Sequence, residues 1–285
     1  MEGAMQMAEI REGTTPRAAA FIVTLYGDAV EPRGGQLWMG TLVESCATQG
    51  LSESLVRTAV SRLTQAGQLE GDRIGRRSYY RLTGRAQAEF HRAARVIYAP
   101  PPPPQGWLVA LEAPAALPGD WMALSGSVAI APNRSDVAPV SGPVLSAEAL
   151  GNAAEMQAVV ARCRDLAPVA EAYRNFLAAW AAPDPSEDDL PGAEALARRL
   201  RLVHLYRLAA LSDPRLPPEA LPDDWPAAAA RALFVRCYCA LSPAADRLIG
   251  DSFRDCQGLL PAETLHTQRR MDRLRRELAL SPRAG

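Results

Sequence analysis

The chain contains 285 residues, 48% of them hydrophobic, and its formal net charge is −1. This length and composition are sufficient for two or three domains with hydrophobic cores. All 31 basic residues are arginines, which excludes chemistry that needs a lysine, such as a Walker A phosphate loop or Schiff-base catalysis. No apolar run approaches the roughly 18 residues of a membrane span, and the polar N-terminus lacks the pattern of a signal peptide. We therefore expect a cytoplasmic protein without membrane contact.

The first predicted elements are a helix, a short strand and a second helix. A polar, disordered N-terminus is expected at 1–14. Thr15 and Pro16 then fit the N-cap and first turn of the first helix. Two adjacent glycines turn the chain into a strand at 36–38, and the second helix is predicted at 41–48.

A helix with one apolar and one polar face is predicted between Ser52 and Gly67. Ser52 is a good N-cap, and the apolar positions recur at helical spacing: Val56, Ala59, Val60 and Leu63. The opposite face carries side chains that can hydrogen-bond base edges or phosphates in a major groove: Ser54, Arg57, Thr58, Ser61, Arg62 and Gln65. This face is a candidate for reading DNA. The alternative is a charged helix face that is simply solvated.

A basic β-hairpin is predicted directly after this helix. Strands at 68–70 and 79–82 flank its tip, and Thr83 is expected to cap a further helix. Candidate contacts to phosphate or to a narrow minor groove lie at or near the tip: Arg73, Arg76, Arg77, Ser78 and Tyr79. Nine arginines and three acidic residues lie between Leu55 and Arg95, a net charge of 9 − 3 = +6. The order of elements indicates a winged helix-turn-helix domain at 15–98.

The residues of this module resemble a known family. Four segments are similar to the N-terminal domain of the PaaX family, the repressors of phenylacetate-degradation operons: TLYGD at 24–28, RGGQLWMGTL at 33–42, LVRTAVSRL at 55–63 and RIGRRSYYRL at 73–82. A second block, VHLYRLAALSDPRLPPEALPDDW at 203–225, resembles the family's C-terminal domain, as does the helix that follows it through CYCALSPAA. The resemblance covers about 16–98 and 171–249, and it implies a DNA-binding repressor.

The middle of the chain departs from the family pattern. Five consecutive prolines at 100–104 predict a stiff polyproline linker spanning 99–105. The resemblance implies that a ferredoxin-like, Cas2-like central domain follows, with a helix after each early strand. Here the connections after the strands contain several prolines and are too short for a full helix. We therefore predict a reduced central α/β domain at 106–150.

From residue 151 onward the pattern is helical and predicts a C-terminal effector and dimerisation domain at 151–285. Helices are expected near 153–163, 168–181, 193–211, 226–241 and 261–279. The resemblance implies release from DNA by phenylacetyl-CoA, a ligand that needs cations for its phosphates and an aromatic pocket for its acyl end. The candidate effector residues are His204, Tyr206, Arg207, Arg201 and Trp225, with Arg198 and Arg199 as further cations. Ordinary core packing of His204 and Tyr206 is the alternative.

The sequence thus predicts an α+β, mostly helical protein that acts as a homodimeric transcriptional repressor. It would bind a pseudo-palindromic double-stranded operator of an aromatic, phenylacetate-type catabolic operon and be released by an acyl-CoA such as phenylacetyl-CoA. Two alternatives remain: a regulator of this type with a different small aromatic effector, and a ligand-binding or interaction module that binds no DNA. No catalytic motif supports an enzyme, and no cofactor or metal site is expected. The five scattered cysteines are interpreted as reduced core thiols.

Overall fold

The computed structural model describes residues 15–99, 104–180 and 190–280. The predicted disordered N-terminus and all but the last of the five linker prolines lie outside these ranges. The protein is α+β and mostly helical, as predicted, and it contains two small antiparallel sheets. Within the described ranges, no helix combines the length and apolar character needed to cross a bilayer.

Contacts divide the chain into two compact units. The first unit combines Met1–Ala99, Ala172–Leu211 and Ala228–Gly285, and the second combines Pro100–Glu171 and Ser212–Ala227. This division differs from the domain boundaries predicted from sequence, because the N-terminal module and most of the C-terminal helices share the first unit. The family-like block at 203–225 is itself divided between the two units.

The N-terminal module of the first unit contains its elements in the predicted order. Helix α1 (Ala18–Leu25) continues through a π-helical turn (Tyr26–Val30) and a 3-10 turn (Glu31–Arg33) into strand β1 (Gln36–Trp38). Helices α2 (Met39–Ala47) and α3 (Glu53–Gln65) follow, then strands β2 (Leu69–Ile74) and β3 (Arg77–Leu82), and helix α4 (Gly84–Tyr98). The sheet order is β1-β3-β2, so β1 and β2 are its edges.

Local signals explain most of these boundaries. The Ser52 hydroxyl accepts a hydrogen bond from Leu55 N, and the Thr83 hydroxyl accepts one from Ala86 N, so both predicted N-caps are confirmed. Gly67, at φ +67°, ends the α3 segment in the left-handed region that favours glycine. The first helix is the exception: its N-cap is Arg17 without a side-chain cap, so the predicted start at Thr15 was wrong.

The second unit is built on a four-stranded antiparallel sheet in the order β5-β6-β4-β7. Its strands are β4 (Trp107–Ala110), β5 (Met122–Ser125), β6 (Val128–Pro132) and β7 (Val144–Ala147), and helix α5 (Ala153–Cys163) follows. Within 104–150 no helix separates the strands, as the prolines predicted. The assignment of this sheet as a ferredoxin-like, Cas2-like domain stays a prediction.

The two faces of this sheet are covered differently. One face packs Trp107, Met122 and Ile130 against Val160 of α5, Leu216 and Ala220. The other face presents small alanines, which pack against Trp121 and partly buried apolar residues of the connecting segments. Alternation along the paired strands β4 and β6 produces these two faces. The segments that connect the strands therefore cover the alanine face of the sheet. They take the place of a helix, for which they are too short.

Four helices complete the part of the chain that the structure describes: α6 (Ala167–Trp180), α7 (Gly192–Ala210), α8 (Ala227–Ser252) and α9 (Leu265–Leu280). Each lies close to its predicted position, although α8 continues eleven residues beyond the predicted end at 241. Helix α7 is buried on nearly all sides from Leu202 to Tyr206. Such a helix belongs to the interior of a domain rather than to its surface.

Candidate nucleic-acid interface and effector pocket

The polar face of α3 is open to solvent. All six predicted side chains on this face are exposed, whereas Val56, Ala59, Val60 and Leu63 are buried. Arg57 forms an ion pair with Glu53 on the preceding turn, at 2.7 Å, and both side chains remain more than half exposed. Among the described residues, Arg62 has no ion pair. The face is therefore available to a partner.

The hairpin between β2 and β3 carries exposed arginines at its tip. Arg73, Arg76 and Arg77 are exposed, and Gly75 adopts φ +61° in the turn between the strands. The Arg77 guanidinium carbon lies 5.0 Å from the centroid of the Trp38 ring, within the range of a cation–π contact. Ser78 is half-buried. Two permanent charges, Arg73 and Arg76, thus project from the hairpin without aromatic contacts in the described chain.

The structure corrects the prediction that Tyr79 contacts DNA. Its side chain is only 5% exposed, and it lies on β3 opposite Trp38 of β1 and Asp72 of β2. Because the ring is almost completely covered by its neighbours, it is not available to contact a nucleic acid while the sheet is intact. The alternation of the strand could not distinguish this position from its exposed neighbours Arg77 and Arg81.

The predicted effector residues lie in different environments. His204 is fully buried, with Nδ1 2.9 Å from Thr24 Oγ1 and its ring 5.7 Å from the Phe21 ring. Tyr206 is also buried and stacks on Phe234 at 4.2 Å between ring centroids. Arg201 is half-buried. These positions match the core-packing alternative for His204 and Tyr206 and leave arginines as the more accessible candidates.

The proline-rich loop after α7 has a structural role in the second unit. The buried Arg134 side chain donates hydrogen bonds to the carbonyl oxygens of Pro214, at 2.7 Å, and Arg215, at 2.9 Å, and it forms ion pairs with Asp120 and Asp136. The Trp107 indole donates to Glu219 at 3.2 Å in the same loop. Trp225 is half-buried and belongs to this unit, whereas His204, Tyr206, Arg207 and Arg201 belong to the first.

A mostly apolar pocket of about 160 Å³ lies in the first unit between α1, α4 and α7. Its wall includes Phe90, Ala94 and Ile97 of α4 and Val203 of α7. The remaining lining residues are Val23, Thr24, Gly27, Gln68, Ala86, Glu89, Ala93, Arg207 and Leu211. The pocket therefore touches the N-terminal module on one side and the family-like HLYR segment on the other.

Arg207 is the cation of this pocket. Its Nε donates a hydrogen bond to Thr24 Oγ1 at 2.8 Å, and Nη2 donates to the Ala20 carbonyl at 2.9 Å. Thr24 also contacts His204, so the three side chains link α1 to α7 at the pocket wall. A small aromatic group could occupy the apolar part while the guanidinium faces a polar substituent.

A buried cluster of charges, missed from sequence, joins the N-terminal module to the C-terminal helices. The Asp28 side chain is fully buried; its carboxylate pairs with Arg199 of α7 at 2.9 Å and with Arg270 of α9 at 3.2 Å. The Tyr98 and Tyr238 hydroxyls donate to the same carboxylate at 2.9 and 2.8 Å. Arg199 was a candidate for phosphate binding, and its burial in this cluster corrects that interpretation.

The cluster continues through a second carboxylate. Arg199 and Arg33 both bind Asp246 of α8, each at 2.6 Å, and Arg33 also donates to the carbonyls of Ala262 and Pro261. Burial alone would raise the pKa of Asp28, but the charges of Arg199 and Arg270 and the two tyrosine hydroxyls outweigh it and hold that pKa below its usual value. The one signal in the sequence was a lone carboxylate within the apolar segment 21–30.

Comparisons with known proteins agree with the segments singled out from sequence. Two family models match the chain, one described as PaaX-like protein over residues 17–86 and one as PaaX-like protein C-terminal domain over 165–250. The Transcriptional repressor PaaX of Escherichia coli K12 is 33% identical over an alignment that covers 88% of this chain and 89% of that protein. A solved structure of an uncharacterized protein from Mycobacterium tuberculosis is 24% identical with a TM-score of 0.42, covering 73% of this chain and 89% of that one.

Proposed function

The chain belongs to the PaaX family, and on that basis we propose that it is a DNA-binding transcriptional repressor, not an enzyme, of an aromatic, phenylacetate-type catabolic operon. Its N-terminal module acts as a winged helix-turn-helix domain and its partner is double-stranded operator DNA. The observation that carries the proposal is the exposed polar face of α3 beside an arginine-rich hairpin. In a winged helix-turn-helix, the recognition helix enters the major groove and the hairpin contacts the adjacent DNA backbone.

The direct test is salt-dependent binding of the purified chain to the DNA upstream of its own gene. Specific binding requires tighter association with this DNA than with a scrambled duplex, and a steep fall in affinity with salt measures the phosphate contacts. A homodimer on a pseudo-palindromic operator further requires two half-sites separated by about one helical turn or a multiple of it. Mass measurement of the complex by light scattering determines the number of chains. Equal affinity for both duplexes would contradict the proposal.

We expect the hairpin tip to contribute phosphate contacts. The double substitution Arg76→Ala/Arg77→Ala should weaken binding to operator and to random DNA alike and reduce the slope of log affinity against log salt by about 1 to 2. The charge-matched control is Arg85→Ala/Arg92→Ala on the exposed side of α4. Because Arg77 contacts Trp38 directly and its removal would itself change the fluorescence of that ring, circular dichroism checks that the protein remains folded. A slope equal to that of wild type would mean that the tip points into solvent.

The pocket between α1, α4 and α7 is the proposed site for the acyl end of the effector. Its volume of about 160 Å³ is comparable to cavities of about 150 Å³ that hold benzene in other proteins. A phenyl ring fits this space, and the much larger nucleotide part of a CoA thioester does not. Arg207 would face the thioester carbonyl of the effector at the pocket wall. Arg201 is a candidate for binding the phosphates of the CoA part outside the pocket. An aromatic effector other than phenylacetyl-CoA is compatible with the same apolar wall.

Filling this pocket should make the repressor insensitive to its effector. Ala94→Phe places a phenyl ring where the ligand ring would bind, and the lost burial of about 1.5 to 3 kcal/mol corresponds to a rise of roughly 10- to 150-fold in the concentration needed for release. Ala88→Phe, on the exposed side of the same helix, is the matched control. Arg207→Ala should raise this concentration as well without weakening operator binding. The measurement is fluorescence anisotropy of labelled operator titrated with phenylacetyl-CoA.

Two outcomes separate this proposal from a purely structural role. If Ala94→Phe remains folded and responds as wild type does, the pocket is not the effector site. If Arg207→Ala and His204→Ala only lower thermal stability and leave the response of the folded protein unchanged, the HLYR segment serves packing alone. Calorimetric titration of wild type supplies the reference affinity.

Ligand control requires that the occupied pocket favour one of two arrangements of the protein. The pocket wall contains residues of α1 and α4 on one side and of α7 on the other, and the buried cluster around Asp28 joins the same segments to α8 and α9. A ligand that separates α7 from α4 therefore acts on the joint between the DNA-reading module and the C-terminal helices. This coupling is part of the proposal.

A further inference from the structure

A short hairpin between α8 and α9 has a rigid backbone. It comprises residues 253–260, and we call it the 253–260 hairpin. Phe253 and Leu260 are buried at its base, where Leu260 N donates to the Phe253 carbonyl at 2.8 Å. The turn is closed by Asp255, whose N donates to the Gly258 carbonyl and whose carboxylate accepts from Gln257 N and Gly258 N. Its position is therefore fixed by hydrogen bonds at both ends.

This hairpin is attached to the outer edge of the three-stranded sheet. Trp38 N donates to the Arg254 carbonyl at 2.8 Å, and Cys256 N donates to Gln36 Oε1 at 3.2 Å. The first contact joins the backbone of the hairpin to β1, the edge strand opposite β2, and the second joins it to a side chain of the same strand. One such hydrogen bond places Arg254 about one strand spacing, ~4.8 Å, from β1. The 253–260 hairpin thus lies beside β1 and extends the three-stranded sheet on the side away from β2.

The surface around Trp38 includes two exposed arginines, Arg254 and Arg77. Arg254 is exposed, and its main chain is bonded to the same tryptophan that Arg77 covers at 5.0 Å. The neighbouring Asp255 is half-buried, and two loop N–H groups occupy one of its carboxylate oxygens. Farther across the sheet, Arg81 pairs with Glu70 at 2.7 Å. The backbone of Arg254 and the guanidinium of Arg77 therefore both contact Trp38, from two distant parts of the sequence.

We propose that the 253–260 hairpin is a second contact to the operator backbone, in which the forked guanidinium of Arg254 binds a phosphate beside those bound by the β2–β3 tip. A guanidinium is suited to two parallel hydrogen bonds with phosphate oxygens. The inference rests on the proposed DNA-binding function and extends the interface beyond the N-terminal module. The hairpin directly follows α8, which carries Asp246 of the buried cluster.

Substitution of Arg254 tests the contact. Arg254→Ala should weaken binding to operator and random DNA by similar factors, roughly three- to tenfold at low salt, and reduce the salt slope by about 1. Arg254→Lys retains a charge and should restore most of the slope. Arg247→Ala, an exposed arginine of α8, is the matched control and should have no effect on the slope. An unchanged slope in folded Arg254→Ala would overturn the inference.

The exposed thiol of Cys256 permits an independent test. Cys256 lies two residues after Arg254 and is exposed, whereas the other four cysteines are buried or half-buried. An iron–EDTA reagent attached to Cys256 should cut the operator backbone at a defined position, and Cys256→Ser treated identically should not. Absence of cutting in a complex of wild-type affinity would overturn the inference. Failure of the unlabelled chain to bind any operator would instead overturn the proposed function, whereas normal effects of α3 substitutions without effects at Arg254 would leave the function intact.

Discussion

Replacing Asp28 with asparagine is expected to lower the free energy of unfolding by about 3 to 5 kcal/mol. Asparagine keeps the shape of the side chain but removes its charge, which leaves the buried Arg270 without the Asp28 carboxylate, whereas Arg199 keeps its ion pair with Asp246. Burying an uncompensated guanidinium is far more costly than losing an exposed ion pair. Urea denaturation followed by circular dichroism measures the change through the midpoint and slope of the transition.

The matched control for this substitution is Glu53→Gln. It also removes a carboxylate from an arginine, since Glu53 and Arg57 pair at 2.7 Å, but both side chains are exposed. The expected change is within about 1 kcal/mol. Comparable effects of the two substitutions would contradict the assignment of Asp28 as the joint between the N-terminal module and the C-terminal helices.

The Asp28 carboxylate also determines the direction in which pH changes the stability of the protein. The pKa of Asp28 in the folded protein is below its usual value, since the nearby guanidinium groups and tyrosine hydroxyls outweigh burial. Its contribution to stability is therefore present above the usual carboxyl pKa of about 3.9 and is lost as pH falls from there through the lowered folded-state value. Wild type and Asp28→Asn should consequently converge in stability as the solution is acidified. If the two proteins lost stability in parallel as the pH falls, a group other than Asp28 would be responsible for the loss of stability in acid.

The elements of the N-terminal module could be predicted because their signals are local. The buried stripe of α3 repeats with helical spacing, and the caps at Ser52 and Thr83 contact backbone groups three residues away. The strand at 36–38 was predicted with its observed bounds. Its neighbouring helix α2 begins two residues earlier than predicted, a normal uncertainty where no side chain caps the helix.

The parts that sequence could not predict depend on contacts between distant residues. Asp28 pairs with Arg199 across 171 positions and with Arg270 across 242, so no local pattern marks these arginines as buried. Arg134 similarly holds the Pro214 carbonyl across 80 positions, which assigns a family-like loop to the second unit. Periodicity identifies which face of an element is apolar, but it does not identify the partner that covers it. The division into units and the burial of Tyr79 follow from such partners.

The double substitution Arg57→Ala/Arg62→Ala is expected to weaken specific recognition of the operator strongly. Each arginine can contribute about 1 to 3 kcal/mol through contacts to base edges, so independent losses sum to about 2 to 6 kcal/mol, roughly 30-fold or more in affinity. The fold should be unaffected, because both side chains are exposed on the face opposite Val56 and Leu63 and the Arg57–Glu53 pair contributes little. Competition between operator and scrambled duplexes at fixed salt measures the loss.

Lysine substitutions at the same two positions separate base reading from simple charge. Arg57→Lys/Arg62→Lys keeps both positive charges but lacks the fork that binds guanine through two hydrogen bonds. If α3 reads bases, this variant should retain binding to scrambled DNA and still lose preference for the operator. If the two side chains only contact phosphates, lysine should restore both. Operator binding by the alanine variant at wild-type affinity, with α3 still folded, would contradict the assignment of α3 as the recognition helix and would leave the hairpin tip as the main DNA contact.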